Sequence, residues 1–114
     1  MLNHVVLLKF KPGVSNSEIE ALEKMLDDLP NKITQIHSYE LGRDVTRSEK
    51  SYDFALVSLF ANTVALERYQ QHRQHLPVLK KIKELCENVA TVDFEGSDVE
   101  SIKKESPIWD PKPI

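Results

Sequence analysis

Two histidines, His72 and His75, stand close together in the stretch Leu66–Pro77, which reads Leu-Glu-Arg-Tyr-Gln-Gln-His-Arg-Gln-His-Leu-Pro. An unperturbed imidazole titrates near neutral pH, so either ring can donate or accept a proton there. A third histidine, His4, opens the first apolar segment. With His4 as a third donor, His-x-x-His could hold a metal, but no carboxylate is fixed nearby in sequence and the spacing alone does not define a zinc site. The fourth, His37, falls on a predicted strand and reads as a packed or edge residue. Cys86 has no neighbouring cation to activate its thiol and reads as a small buried hydrophobe. Three glycines leave no glycine-rich phosphate loop, and no Ser-His-Asp arrangement is present.

The elements that must position these histidines follow from local pattern. Asn62 can cap a helix on which Val64, Leu66 and Tyr69 share the apolar spacing. Pro77 would break that helix if it continued, yet suits the first turn of a new one. The stretch therefore predicts a helix that runs out at a turn, with His72 and His75 at the junction, where a ring can meet a cavity. The second helix carries Val78, Leu79, Ile82 and Leu85 as its apolar stripe, with Cys86 at its end.

The same reading extends along the chain. His4–Phe10 is β-branched and apolar and stops at Pro12-Gly13, which predicts a strand with both faces covered. Ser15 and Glu18 form a capping box for a helix to about Leu29, stopped by Pro30-Asn31. Ile33–Leu41 and Tyr52–Phe60 predict two further strands, separated by a polar connection from Gly42 to Ser51. Val89–Phe94 predicts the last strand. Residues 96–114 differ in kind, with three prolines and scattered apolar residues including the lone Trp109. They cannot build a core alone, and form either an arm that docks on the domain or on a partner, or a tag-like tail.

Bulk properties narrow the field. At 114 residues, with 40% hydrophobic and 29% charged content, the chain fits one globular domain, which buries roughly 65% of its extended surface and needs no disulfide or metal to hold its core. A formal charge of −3 argues against nucleic acid, which requires a concentrated basic patch. Lys80, Lys81 and Lys83 are followed by Glu84 and Glu87 and read as a solvated helix face. No apolar run is long enough to span a bilayer. A single cysteine excludes an internal disulfide, and a cytoplasmic setting is expected.

The order strand, helix, strand, strand, helix, strand predicts an α+β, ferredoxin-like βαββαβ sandwich with its helices on one sheet face. The other face would be bare although its strands are apolar on both sides. A two-fold homodimer that packs two such faces together hides them both.

The ordered set His4-Val-Val-Leu-Leu-Lys-Phe10, Tyr39-Glu-Leu-Gly-Arg-Asp-Val45, Tyr52-Asp-Phe-Ala-Leu-Val57, Tyr69-Gln-Gln-His-Arg-Gln-His75 and Val92-Asp-Phe94 resembles the stress-responsive dimeric A/B barrel domain (Dabb) family, and within it the olivetolic acid cyclase-like members. The resemblance covers about residues 3–95, so residues 1–95 are assigned to the domain. It implies a dimeric α+β barrel with one small apolar-lined pocket per subunit. A plant cyclase of the family performs an aldol-type ring closure without a metal, using a first-strand histidine and a histidine after the tyrosine-bearing helix. Those positions match His4 and His75, with Tyr69 as the helix tyrosine. His4, His75 and Tyr69 are thereby implied as the catalytic set, and His72, Val6 and Leu8 as substrate contacts. The family proline after His72 is replaced by Arg73, which changes the loop. Haem is known in related dimeric barrels, but nothing here specifies a haem pocket, and neither a cofactor nor a metal is expected.

Besides a purely structural dimer module whose tail recruits another protein through Trp109, two functions are open. One is cofactor-free acid–base chemistry, aldol- or cyclase-like, on a small carbonyl compound. The other is stress-related binding of a small apolar ligand without catalysis, with the histidines bonded to each other or to the backbone and merely sealing the pocket. No nucleic acid or membrane partner is expected in either.

Overall fold

The computed structural model describes residues 1–96; the predicted arm, from Ser97 onward, lies outside the described residues. The order is β1 (Leu2–Phe10), α1 (Asn16–Lys32), β2 (Ser38–Arg43), β3 (Phe54–Phe60), α2 (Thr63–Gln71), α3 (Leu76–Leu85) and β4 (Cys86–Glu95). The four strands form one antiparallel sheet in the order β2-β3-β1-β4. The fold is the expected α+β ferredoxin-like arrangement, and β1, which carries His4, is central.

Alternation along β1 explains the layering. Leu2, His4, Val6 and Leu8 are buried, while Asn3, Val5, Leu7 and Lys9 are only partly so. The first set meets Leu22, Leu26 and Leu29 of α1, Leu66 and Tyr69 of α2, and Val78 and Leu85 of α3 in one core. The second set shares the opposite face with Val57, Val92 and Phe94, all exposed. This contiguous apolar face is uncovered in the single chain.

Local signals hold at most helix ends. The Ser15 hydroxyl accepts from the Glu18 N–H at 3.2 Å, and the Ser15 N–H donates to the Glu18 carboxylate at 3.3 Å. Asn62 caps α2 by accepting from the Ala65 N–H at 3.0 Å. Pro77 stands in the first turn of α3. Val64, expected on the apolar stripe, instead faces solvent.

Four boundaries differ from expectation. α1 runs through Pro30 to Lys32. Proline removes only its own bond in the ladder, and the Ile33 N–H still reaches the Leu29 carbonyl at 2.9 Å. Ile33 therefore ends a helix, fully buried, instead of starting a strand. β2 begins at Ser38 and takes in Gly42 and Arg43, which pair with Ala55 and Phe54, so His37 precedes the strand and is exposed. β3 begins at Phe54 rather than Tyr52, because Asp53 bonds elsewhere: its N–H donates to the Leu8 carbonyl, and its carboxylate accepts from the Phe10 N–H at 2.8 Å. β4 begins at Cys86, directly after α3. Cys86 ends the helix and opens the strand, and burial pushes its thiol up to about 11, so it stays protonated and unreactive.

Candidate active site

Between the sheet and the helices lies a cavity of about 330 Å³. Its polar end is formed by His4, Tyr69, Gln70 and His75, with Thr91 further along β4. Val6, Leu26, Leu56, Val78, Leu79, Ile82 and Val89 make the remaining wall. Of the residues implied by the resemblance, His4, His75, Tyr69 and Val6 line this cavity. Leu8 is packed in the core, and His72 is turned to another task. A larger hollow, of about 440 Å³, opens on the uncovered sheet face near Leu7, Val45 and Tyr52; it holds no histidine and is not the candidate site.

The α2–α3 junction is closed by backbone bonds from the His72 N–H to the Tyr69 carbonyl at 3.2 Å and from the His75 N–H to the His72 carbonyl at 2.9 Å. His72 Nδ1 accepts from the Gln74 N–H at 3.0 Å. That imidazole holds the turn that contains Arg73. The same turn aims His75 inward.

His75 and His4 are both buried, at 7% and 5% exposure, and each has one ring nitrogen committed. His75 Nδ1 is 3.2 Å from the Gln70 carbonyl oxygen. A carbonyl only accepts, so Nδ1 carries the proton and Nε2 the lone pair. His4 Nδ1 is bonded to the Asp93 carboxylate across the β1–β4 pair, which fixes the same tautomer. Among the described residues no buried side-chain nitrogen or oxygen lacks a partner. Neither Nε2 is hydrogen-bonded among the described residues, so neither atom is sealed off, and both rings line the cavity.

The cluster is aromatic and close. The Tyr69 ring lies 4.4 Å from His75, 4.9 Å from Phe60 and 6.3 Å from His4, centroid to centroid. Its hydroxyl is 2.7 Å from that of Tyr39. Burial holds His75 below the usual imidazole range, with the Gln70 carbonyl opposing and His4 and His72 adding to the effect. Burial also raises both phenols, Tyr39 far more than an ordinary tyrosine. At neutral pH the site therefore presents a neutral base at His75 and un-ionised phenols beside it, the groups needed to remove a proton next to a carbonyl and stabilise the resulting oxygen charge.

Sequence reasoning did not find three members of this set. Tyr39 read as a core or interface residue. Gln70 contributes through its backbone, which no side-chain pattern reports. Asp93 had one available signal, a lone carboxylate within the otherwise uncharged run Val89–Phe94. Among the described residues no group of three or more His, Cys, Asp or Glu is arranged to hold a metal ion, and no helix is long and apolar enough to cross a membrane.

Known proteins share this architecture. A dimeric ferredoxin-like protein of unknown function from Thermobifida fusca superposes with a TM-score of 0.75 at 26% identity, covering 82% of this chain and 88% of its own. A hydroxynitrile lyase from Passiflora edulis reaches 0.77 at 16% identity, covering 86% and 94%, a likeness of fold. A stress-response A/B barrel domain-containing protein of Arabidopsis thaliana, HS1, is 28% identical over 100 residues, 86% of this chain and 92% of that protein. The family model described as the stress responsive A/B barrel domain matches residues 2–96. With that match over nearly all of the described chain, this protein belongs to the stress-responsive A/B barrel domain family.

Proposed function

We propose that the protein is a homodimeric, cofactor-independent acid–base catalyst acting on a small uncharged carbonyl compound. The observation that carries this reading is His75, a neutral base with Nδ1 committed to the Gln70 carbonyl, on the wall of an apolar cavity beside the Tyr69 ring. His75 Nε2 takes a proton from the carbon next to the carbonyl. The electron pair moves onto the carbonyl oxygen, and Tyr69 donates a hydrogen bond to that enolate. The enolate carbon then adds to a second carbonyl carbon, forming a carbon–carbon bond. The new alkoxide recovers a proton from the His75 imidazolium, so the protein returns to its starting state.

His4 and Asp93 form a second station. The Asp93 carboxylate holds the His4 ring by its Nδ1 and leaves Nε2 on the cavity side, beside His75. Among the described residues no lysine or arginine lines the cavity, and a carboxylate or phosphate inside it would meet no counter-charge from them. The ligand is therefore uncharged, with its oxygen at the His–Tyr–His end and its apolar part against Leu26, Val78 and Ile82. A second copy of the chain covers the apolar sheet face of β1, β3 and β4, in keeping with the dimeric relative.

The test is hydrogen exchange at the carbon beside the carbonyl of a medium-chain methyl ketone, followed by NMR in D₂O. Exchange should be catalysed by the wild type and lost in His75→Ala. Unchanged exchange in His75→Ala ends the catalytic reading. The second reading, a non-catalytic small-ligand carrier, is favoured by the largely apolar wall and by the satisfied Nδ1 atoms; ketone binding without exchange in the wild type would select it.

A further inference from the structure

Strand register lays out the floor of the cavity in rows. His4 of β1 stands between Ser58 of β3 and Asp93 of β4, and Val6 stands between Leu56 and Thr91. Successive rows on one sheet face are about 7 Å apart at the strand rise. The side chains of the first row are committed to one another. The Ser58 hydroxyl donates to the His4 carbonyl at 3.3 Å, and His4 Nδ1 is bonded to the Asp93 carboxylate. The second row is apolar except at Thr91.

Thr91 lines the cavity with Val6 and Leu56 and is exposed on the edge strand. Among the described residues its hydroxyl makes no hydrogen bond, whereas the hydroxyls of Tyr39 and Tyr69 bond each other. The wall around it, from Val6, Leu56, Ile82 and Val89, offers no competing polar side chain. A strand position is served as well by valine; what threonine adds is a group that both donates and accepts. In an apolar pocket the few polar groups orient the ligand.

We propose that Thr91 is a specificity-determining residue of this cavity, its hydroxyl binding a second oxygen of the ligand, one row from the oxygen held at the His–Tyr–His end. The ligand class is then a dicarbonyl or hydroxy-carbonyl compound with a short carbon chain between its two oxygens, in place of a simple ketone. The assignment rests on the reading of the cavity as a carbonyl site.

Heptane-2,6-dione and heptan-2-one share a chain length and differ in the second oxygen. Protein NMR titration gives the affinity of each, and hydrogen exchange of heptan-2-one in D₂O reads the carbonyl end separately. Thr91→Val keeps the side-chain shape and removes the hydroxyl. The preference for the dione over the ketone should fall about five- to tenfold from wild type to Thr91→Val, the equivalent of one hydrogen bond, while heptan-2-one binds both alike. Thr91→Ser retains the hydroxyl and should keep the wild-type preference. An affinity ratio unchanged in Thr91→Val overturns the assignment, and binding and exchange of heptan-2-one then leave the carbonyl reading in place. If neither compound binds the wild type, the carbonyl reading falls and this assignment with it.

Discussion

The hydroxyls of Tyr39 and Tyr69 are 2.7 Å apart, although one side chain comes from β2 and the other from α2. Burial, joined by the neighbouring Tyr69, raises Tyr39 the more, while the bond from Tyr39 relieves part of the burial effect on Tyr69. Both hydroxyls keep their protons, and either can donate in this bond. With Tyr39 as donor, Tyr69 has its own O–H to direct at the cavity, polarised by the bond it receives.

Tyr39→Phe should keep the fold and weaken that O–H. The expected loss in the rate of ketone hydrogen exchange is about tenfold, the equivalent of one hydrogen bond. Tyr69→Phe should lose more, because the donor itself is removed. Parallel exchange rates for the two variants check the order.

Asp93→Asn should free the orientation of His4, since an amide can offer either a donor or an acceptor to Nδ1. Proton transfer by a positioned side chain is commonly worth 10²–10⁴-fold, so a drop of about ten- to a hundredfold is expected. Nitrogen chemical shifts of the His4 ring should report mixed tautomers in the variant and one tautomer in the wild type.

Activity should rise with pH and level off below the ordinary histidine range, because burial lowers the pKa of His75 and the neutral ring is the base. Stability follows the same direction. Between the lowered folded value and the unfolded value near 6.5, the unfolded chain binds more protons. The contribution of His75 is thus full above about pH 6.5 and is lost as pH falls through the folded value. Urea midpoints measured across that window should fall less steeply toward acid in His75→Gln.

Leu22, fully buried on α1, lies in the core but not among the cavity-lining residues. Leu22→Ala should cost about 2–5 kcal/mol of stability, read by denaturant unfolding, while exchange activity in the folded fraction remains. Loss of activity without loss of stability would mean that α1 positions the site.

Charge on the open sheet face tests the dimer. Val57 and Val92 are exposed there, on β3 and β4, so Val57→Asp with Val92→Asp should leave the single-chain core intact. Light scattering should report a dimer for the wild type and a monomer for this variant.

The chain's own pattern determined which segments become helices and strands, because caps and periodicity act over a few residues. Ser15 with Glu18, Asn62 and Pro77 each declared a helix start that the fold keeps, and the alternation of β1 declared a strand with an inner and an outer face. The location of β2 was not local: Ile33 is as β-prone as any strand residue, yet burial at the end of α1 claimed it, and pairing with β3 chose Ser38–Arg43 instead. The site was decided by tertiary structure alone. His4 meets Asp93 across 89 positions and Tyr39 meets Tyr69 across 30, contacts set by strand register and helix packing. Residue type made His4 and His75 candidates; only the Asp93 carboxylate and the Gln70 carbonyl, brought to them by the fold, fixed which nitrogen of each faces the cavity.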